Sequence, residues 1–157
     1  MVSDTPIIKM QPLQATRSDI NLFRFSWQNR NIYRSSRDVF EAFLLRVAIG
    51  RRGRRLFGHN HNQTVVSVRA LSAPVVLHRG TADFQIFMAL FEQGTYDVVR
   101  DVKMPKHPVI FDLGGNIGLA TLRFSNLFPN GTFLIVEPDD SNLAVLRRNT
   151  APLVSCG

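Results

Sequence analysis

Apolar positions along this chain recur at different spacings in different stretches, and those spacings divide it. From Asp38 onward, Val39, Phe40, Phe43, Leu44 and Val47 recur at helical intervals, which predicts a helix over about 38–49. Asp38 and Glu41 stand at the offset of a capping box, and Gly50 is placed to stop the helix. Upstream, from Met1 to about Ser36, Gln, Asn, Ser and Arg mix with short apolar clusters such as Leu22, Phe23, Phe25 and Trp27. No period is sustained there, and the segment reads as a loosely ordered arm. Thr64–Arg69 and Val75–His78 are short β-branched runs around Ala-Leu-Ser-Ala-Pro, which predicts two strands joined by a turn, a small antiparallel addition. Thr81 suits the cap of a following helix in which Phe84, Phe87, Met88 and Phe91 form one stripe ending near Gly94. That stripe reads as core packing.

The second half of the chain has a different rhythm. Val109–Asp112 is a short apolar run behind Pro108, broken by Gly114, Gly115 and Gly118, and a helix follows to about Leu127. Pro129-Asn130-Gly131 marks a turn, and Thr132–Val136 is a second strand without polar alternation, the pattern of a strand covered on both faces. Pro138, Asp139 and Asp140 then open a helix carrying Leu143, Leu146, Arg147 and Arg148. Strand, glycine turn, helix, strand, helix is a βαβα unit. The predicted fold class is α/β, a Rossmann-like doubly wound core that is incomplete, with residues 1–60 as a basic, partly helical N-terminal arm and 61–157 as the first part of the α/β domain.

Charge sharpens that division. The net charge is +7, and residues 1–60 hold eleven Lys/Arg against four acids, while 61–157 hold eight of each. The basic character therefore sits in the arm, and Arg51, Arg52, Arg54 and Arg55 beside Phe25, Trp27 and Tyr33 raise nucleic acid or another anionic surface as a partner. No stretch has the length of a membrane span and the first residues lack the order of a secretory signal, so the cytoplasm is the expected compartment. The single cysteine, Cys156, excludes an internal disulfide and a cysteine-rich metal site. The four histidines, His59, His61, His78 and His107, lack a recognisable orienting partner, and no general base is assigned.

The candidate chemistry lies in VIFDLGGNIGLATLRFSNLFPNGTFLIVEPDD. Glycines at a strand end let a ligand approach the backbone, and Glu137, closing the next strand, is placed to accept both hydroxyls of a ribose. A pyrophosphate loop is spaced G-x-G-x-x-G, whereas Gly114-Gly115-Asn116-Ile117-Gly118 lacks the first glycine at that offset. Asp112, two residues ahead, would repel a pyrophosphate and favour a cation. A nucleoside ligand with an ammonium and a sulfonium fits these residues better than a nicotinamide dinucleotide, which stays as an alternative.

DLGGNIGLATL followed by PNGTFLIVEPDDSNLAVLRRNT resembles the glycine motif and second strand of class I methyltransferases, and of the FkbM family in particular. LHRGTADFQIFMALFEQGTYDV is similar to that family's entry segment, with Arg79, Gly80, Thr81, Asp83, Phe87 and Tyr96 at the matching places. The likeness runs from about Val76 to Thr150. It implies S-adenosylmethionine as cofactor, Asp112, Gly114, Gly115, Asn116 and Gly118 at its methionine end, Glu137 at its ribose, and O-methylation of a small molecule or sugar. Such domains continue through further strands, so the chain is expected to bind cofactor weakly and not to turn over alone. A fragment, a short reading frame, and a chain whose sheet is completed by a partner chain all remain open readings.

Overall fold

The computed structural model describes residues 17–49 and 63–154. Gly50, the Arg51–Arg55 run, His59, His61 and Cys156 lie outside the described residues. Helix α1 (Arg17–Gln28) leads through a single 3-10 turn (Arg30–Ile32) to α2 (Ser36–Ile49). Strands β1 (Gln63–Val66) and β2 (Val75–His78) form an antiparallel pair with Gln63 opposite His78. Helix α3 (Asp83–Phe87) runs on into a π turn (Met88–Glu92). Then β3 (Val109–Leu113), α4 (Leu119–Leu127), β4 (Thr132–Val136) and α5 (Asp140–Thr150) make the βαβα unit, with β3 and β4 parallel and Val109 opposite Thr132. The fold is mixed α/β, built on two two-stranded sheets.

The helix at Arg17–Gln28 corrects the expectation of a loosely ordered arm. Its pattern was hidden because Ser26 is fully buried while Phe25 and Trp27 stand about half exposed. Ser26 is buried because its hydroxyl accepts a hydrogen bond from Arg46 of α2 at 2.6 Å. The cap of α2 also differs from the expectation. Ser35 Oγ accepts the Asp38 amide at 3.2 Å and Asp38 returns the bond to the Ser35 amide at 3.1 Å, so the capping box is one turn earlier in the chain. Glu41 instead takes Arg79 at 2.7 Å and the Thr64 hydroxyl at 3.2 Å.

One hydrophobic cluster joins these elements. Val39, Ala42 and Leu45 of α2, Val66, Val75 and Leu77 of the hairpin, Phe84 and Phe87 of α3, and Leu119 and Leu122 of α4 all belong to it. Tyr33 extends the hairpin by bridging Val68, with the Arg34 amide bonded to Ser67 O at 3.1 Å and the Arg69 amide to Ile32 O at 2.8 Å. The helical part of the basic segment is thus one wall of the core.

Inside that wall sits a buried ion pair. Arg46 donates to both oxygens of Glu92, whose side chain is buried by the π turn, and Tyr33 donates its hydroxyl to the same carboxylate. Arg46 stacks over Phe25 at 5.1 Å and Phe84 at 5.3 Å, and its Nε is buried without a partner. Burial first, and then the charge of Glu92, push the Tyr33 hydroxyl far above its ordinary range, so it remains a donor. Removing either Arg46 or Glu92 leaves the other as a buried, uncompensated charge.

The sheet of β3 and β4 is covered on one face only. Ile110, Asp112, Phe133 and Ile135 turn toward the helices and are half-buried. Val109, Phe111, Leu113, Leu134 and Val136, on the other face, are between 48% and 76% exposed. The expectation of a strand buried on both sides is corrected here. The crossover through α4 and the exit of β4 into α5 place both helices on the same side of the parallel pair, and the opposite side is left bare.

Glu92→Gln is expected to lower the unfolding free energy by about 3 kcal/mol, because Arg46 then stays buried without its counter-charge. Glu41→Gln, at a pair exposed by about a fifth on each side, is expected to cost under about 1 kcal/mol. Urea denaturation followed by circular dichroism checks both.

Candidate functional site

The turn from β3 into α4 is held by unusual backbone angles. Gly114 has φ 87°, Asn116 φ 48° and Gly118 φ 84°, all in the left-handed region where Gly is unstrained and Asn is among the more tolerant side chains. Gly115 is required for another reason. A Cβ there would lie 2.3 Å from Ile135 Cγ2 and 3.0 Å from Leu146 Cδ1, so β4 and α5 press directly on the turn. Above Gly114 a Cβ would meet nothing within 4 Å, which leaves open space over the loop for a ligand.

Four of the loop amides are engaged inside the protein. Gly114 and Gly115 both donate to Val136 O, at 2.9 and 3.0 Å, and the Gly118 amide donates to Gly115 O at 2.8 Å. The Asn116 amide donates to Glu137 Oε2 at 2.7 Å. A loop whose N–H groups are spent in this way offers little to a pyrophosphate. Glu137 also accepts the Asp139 amide on Oε1 at 2.9 Å. A carboxylate has about four acceptor positions, so about two stay available to vicinal hydroxyls.

Asp112, at the C-terminal end of β3, is half-buried, and its Oδ2 accepts the Thr121 hydroxyl at 2.6 Å. Thr121 lies in α4 and is almost wholly buried. It fixes the direction of Asp112, and the sequence reading missed it because nothing local distinguishes a helical threonine. The structure therefore brings Asp112, Gly114, Gly115, Asn116, Gly118 and Glu137 around one strand-end turn, with no Lys or Arg among the described residues bonded to either acid. Two carboxylates around an open turn suit a ligand that is cationic and rich in hydroxyls.

A second missed residue joins this turn to the hairpin. Asn149 of α5 accepts the Val76 amide at 2.8 Å and donates to Val76 O at 3.0 Å and Ile117 O at 2.8 Å. Its amide thus ties β2, α5 and the glycine turn together. Asp139 caps α5 through the Asn142 amide at 2.9 Å. The Ser141 hydroxyl, and then that amide, hold the fully exposed Asp139 carboxyl below its ordinary value, with a smaller contribution from His78.

The segment preceding α3 is organised as a capped turn. Thr81 Oγ1 donates to His78 O at 3.1 Å and accepts the Asp83 amide at 3.2 Å, and Arg79 pairs with Glu41. Tyr96 stacks on Phe124 with centroids 5.1 Å apart. His78, for which no orienting partner was legible, has one. Asp83 Oδ2 accepts the His78 backbone amide and lies 2.9 Å from Nδ1, and both side chains are buried. The signal available was a histidine at a strand end five residues before a helix-opening aspartate.

Comparison with known proteins gives one stretch of likeness. The chain is 35% identical over 66 residues to methyltransferase sdnD of Sordaria araneosa, a match that takes in 42% of this chain. The chain is similar there to a methyltransferase. The matched stretch spans about a quarter, 24%, of that protein's length. No family model and no solved structure matches. Among the described residues, no helix is long and apolar enough to cross a membrane.

Gly115→Ala is expected to cost about 1–3 kcal/mol of stability through overpacking against Ile135 and Leu146. Gly114→Ala, which meets no neighbour, is expected to cost about 1 kcal/mol through its positive φ. Chemical denaturation of the two variants separates these causes. Because Asp139 titrates below its ordinary 3.8, its cap is present above that value and is lost as pH falls through the lowered one. The Asn142 amide resonance is expected to shift with a midpoint under 3.8 in an NMR titration.

Proposed function

We propose that this chain carries the cofactor-binding part of an S-adenosylmethionine-dependent methyltransferase domain of the FkbM type. The observation that carries this reading is the pairing of two carboxylates around one glycine turn. Asp112 is pinned by Thr121, and Glu137 is pinned by the Asn116 and Asp139 amides. The likeness to a curated methyltransferase supports the same reading.

The residues fit the cofactor by charge and by donor set. Asp112, at the end of β3 two residues before Gly114, is the group to hold an ammonium, and the spare acceptor positions of Glu137 suit the ribose diol. Gly114, Gly115, Asn116 and Gly118 shape the backbone on which the ligand rests. When bound, S-adenosylmethionine supplies an electrophilic methyl on a positive sulfur, for transfer to an oxygen nucleophile of a small molecule or sugar. The chain's own part is positioning and exclusion of water, which supply rate without a covalent step on the protein.

The bare face of β3 and β4 bears on turnover. A further polypeptide segment that adds a strand at the free edge of β3 and lays helices over Phe111, Leu113 and Leu134 would complete the sheet and supply the acceptor side of the pocket. That segment lies outside the described residues or in a partner chain.

Isothermal titration of the folded chain with S-adenosylmethionine, S-adenosylhomocysteine and NAD tests the reading. Binding of the first two and not the third is expected. Glu137→Gln and Thr121→Val are expected to weaken it about tenfold, the scale of one lost hydrogen bond to a charged group. Preference for NAD, or no binding by a chain with native circular dichroism, would sink the proposal.

A further inference from the structure

Three of the arginines that the proposed function leaves unused line one cavity. A hollow of about 300 Å³ lies between the Arg30–Ile32 turn, the start of α2 and Arg69, and its lining among the described residues includes Trp27, Arg30, Arg34, Ser35, Ser36 and Arg69 but no carboxylate. Arg34 is fixed from behind: its Nε donates to Val68 O at 3.2 Å and a terminal N–H donates to Leu71 O. About three of its five N–H groups stay available. Arg30 donates to Trp27 O at 3.1 Å and lies 5.5 Å from the centroid of the Trp27 ring. Arg69 is tethered through its backbone to Ile32 and carries an exposed side chain.

None of these three arginines pairs with a carboxylate among the described residues. Asp38, in the first turn of α2, is turned toward the Ser35 and Ser67 amides and lines the neighbouring cleft instead. Three guanidinium groups around one hollow repel one another, and an anion placed between them relieves that repulsion. The start of α2 at Ser36 adds the positive end of a helix dipole.

We infer that this cavity binds the phosphate of a nucleotide, with its base against Trp27. Planar guanidinium forks match phosphate oxygens in pairs. Trp27, half exposed at the rim, is the kind of surface on which bases stack. The volume is at the lower end of small-ligand sites and suits a single nucleotide unit. The same unit occurs free or within a single strand of nucleic acid. This site is separate from the glycine turn and does not rest on the methyltransferase reading.

The chain holds one tryptophan, so its fluorescence reports on this hollow alone. AMP titrated into the whole chain is expected to quench Trp27 saturably, with adenosine at least tenfold weaker and inorganic phosphate competing. Arg69→Ala is expected to weaken AMP about tenfold, and Arg69→Lys to restore only part, since an ammonium is a point charge. The quench is expected to persist in Glu137→Ala. A single-stranded decamer binding more than tenfold tighter than AMP at equal salt identifies the strand as the source, and equal binding identifies the free nucleotide. Equal affinity for adenosine and AMP, loss of the quench in Glu137→Ala, or no saturable quench in a folded chain would overturn the assignment.

Discussion

The constraint on which this structure turns is the hand of chain crossover. Moving from β3 through α4 to β4 and on into α5 adds each helix to the same side of the parallel pair. The helices, the hairpin of β1 and β2, and α2 therefore gather on that side and share one core. Everything apolar on the opposite side is left facing outward, which is why Phe111 and Leu113 stand open although they are strand residues. The hairpin does not extend the parallel sheet. It packs against α5, and Asn149 fixes the distance between them by satisfying both polar groups of Val76 and the carbonyl of Ile117.

That arrangement sets the chemistry of the strand-end turn. Pressure from Ile135 and Leu146 excludes any side chain at Gly115, so the turn is seated tightly on β4, while the space above Gly114 stays free. Four of the loop amides are spent on Val136, Gly115 and Glu137. The turn is thus flanked by carboxylates while most of its amides are taken. This inverts the electrostatics of a diphosphate site, although both begin from a glycine turn between a strand and a helix.

Much of the fold was legible because its signals are local. The glycine cluster after Val109–Asp112, the turn at Pro129–Gly131 and the acids opening α5 each act within a few residues, and the α2 and α3 stripes follow helical spacing. The helix at Arg17–Gln28 was illegible because burial there follows a hydroxyl: Ser26 goes inward to Arg46 while its aromatic neighbours stay out. The cap of α2 was read three residues late because two acid-bearing registers compete, and only the structure commits Glu41 to Arg79. The apolar strands gave no warning that one face would be bare, since both faces carry the same residue types. Around the strand-end turn, the glycines and both acids stand out in the sequence by position alone. Thr121, Asn149 and the His78–Asp83 pair do not, because each derives its meaning from a partner on another element or from the turn between two.

Glu137 is the latch of this turn. Its two oxygens clasp the amide of Asn116 in the glycine turn and that of Asp139 at the cap of α5. One carboxylate thus fixes the spacing between the turn and the start of α5, and the entropy of ordering its side chain is spent during folding. A connection pinned at both ends has little freedom to yield, so the turn keeps its form as a rigid mould does.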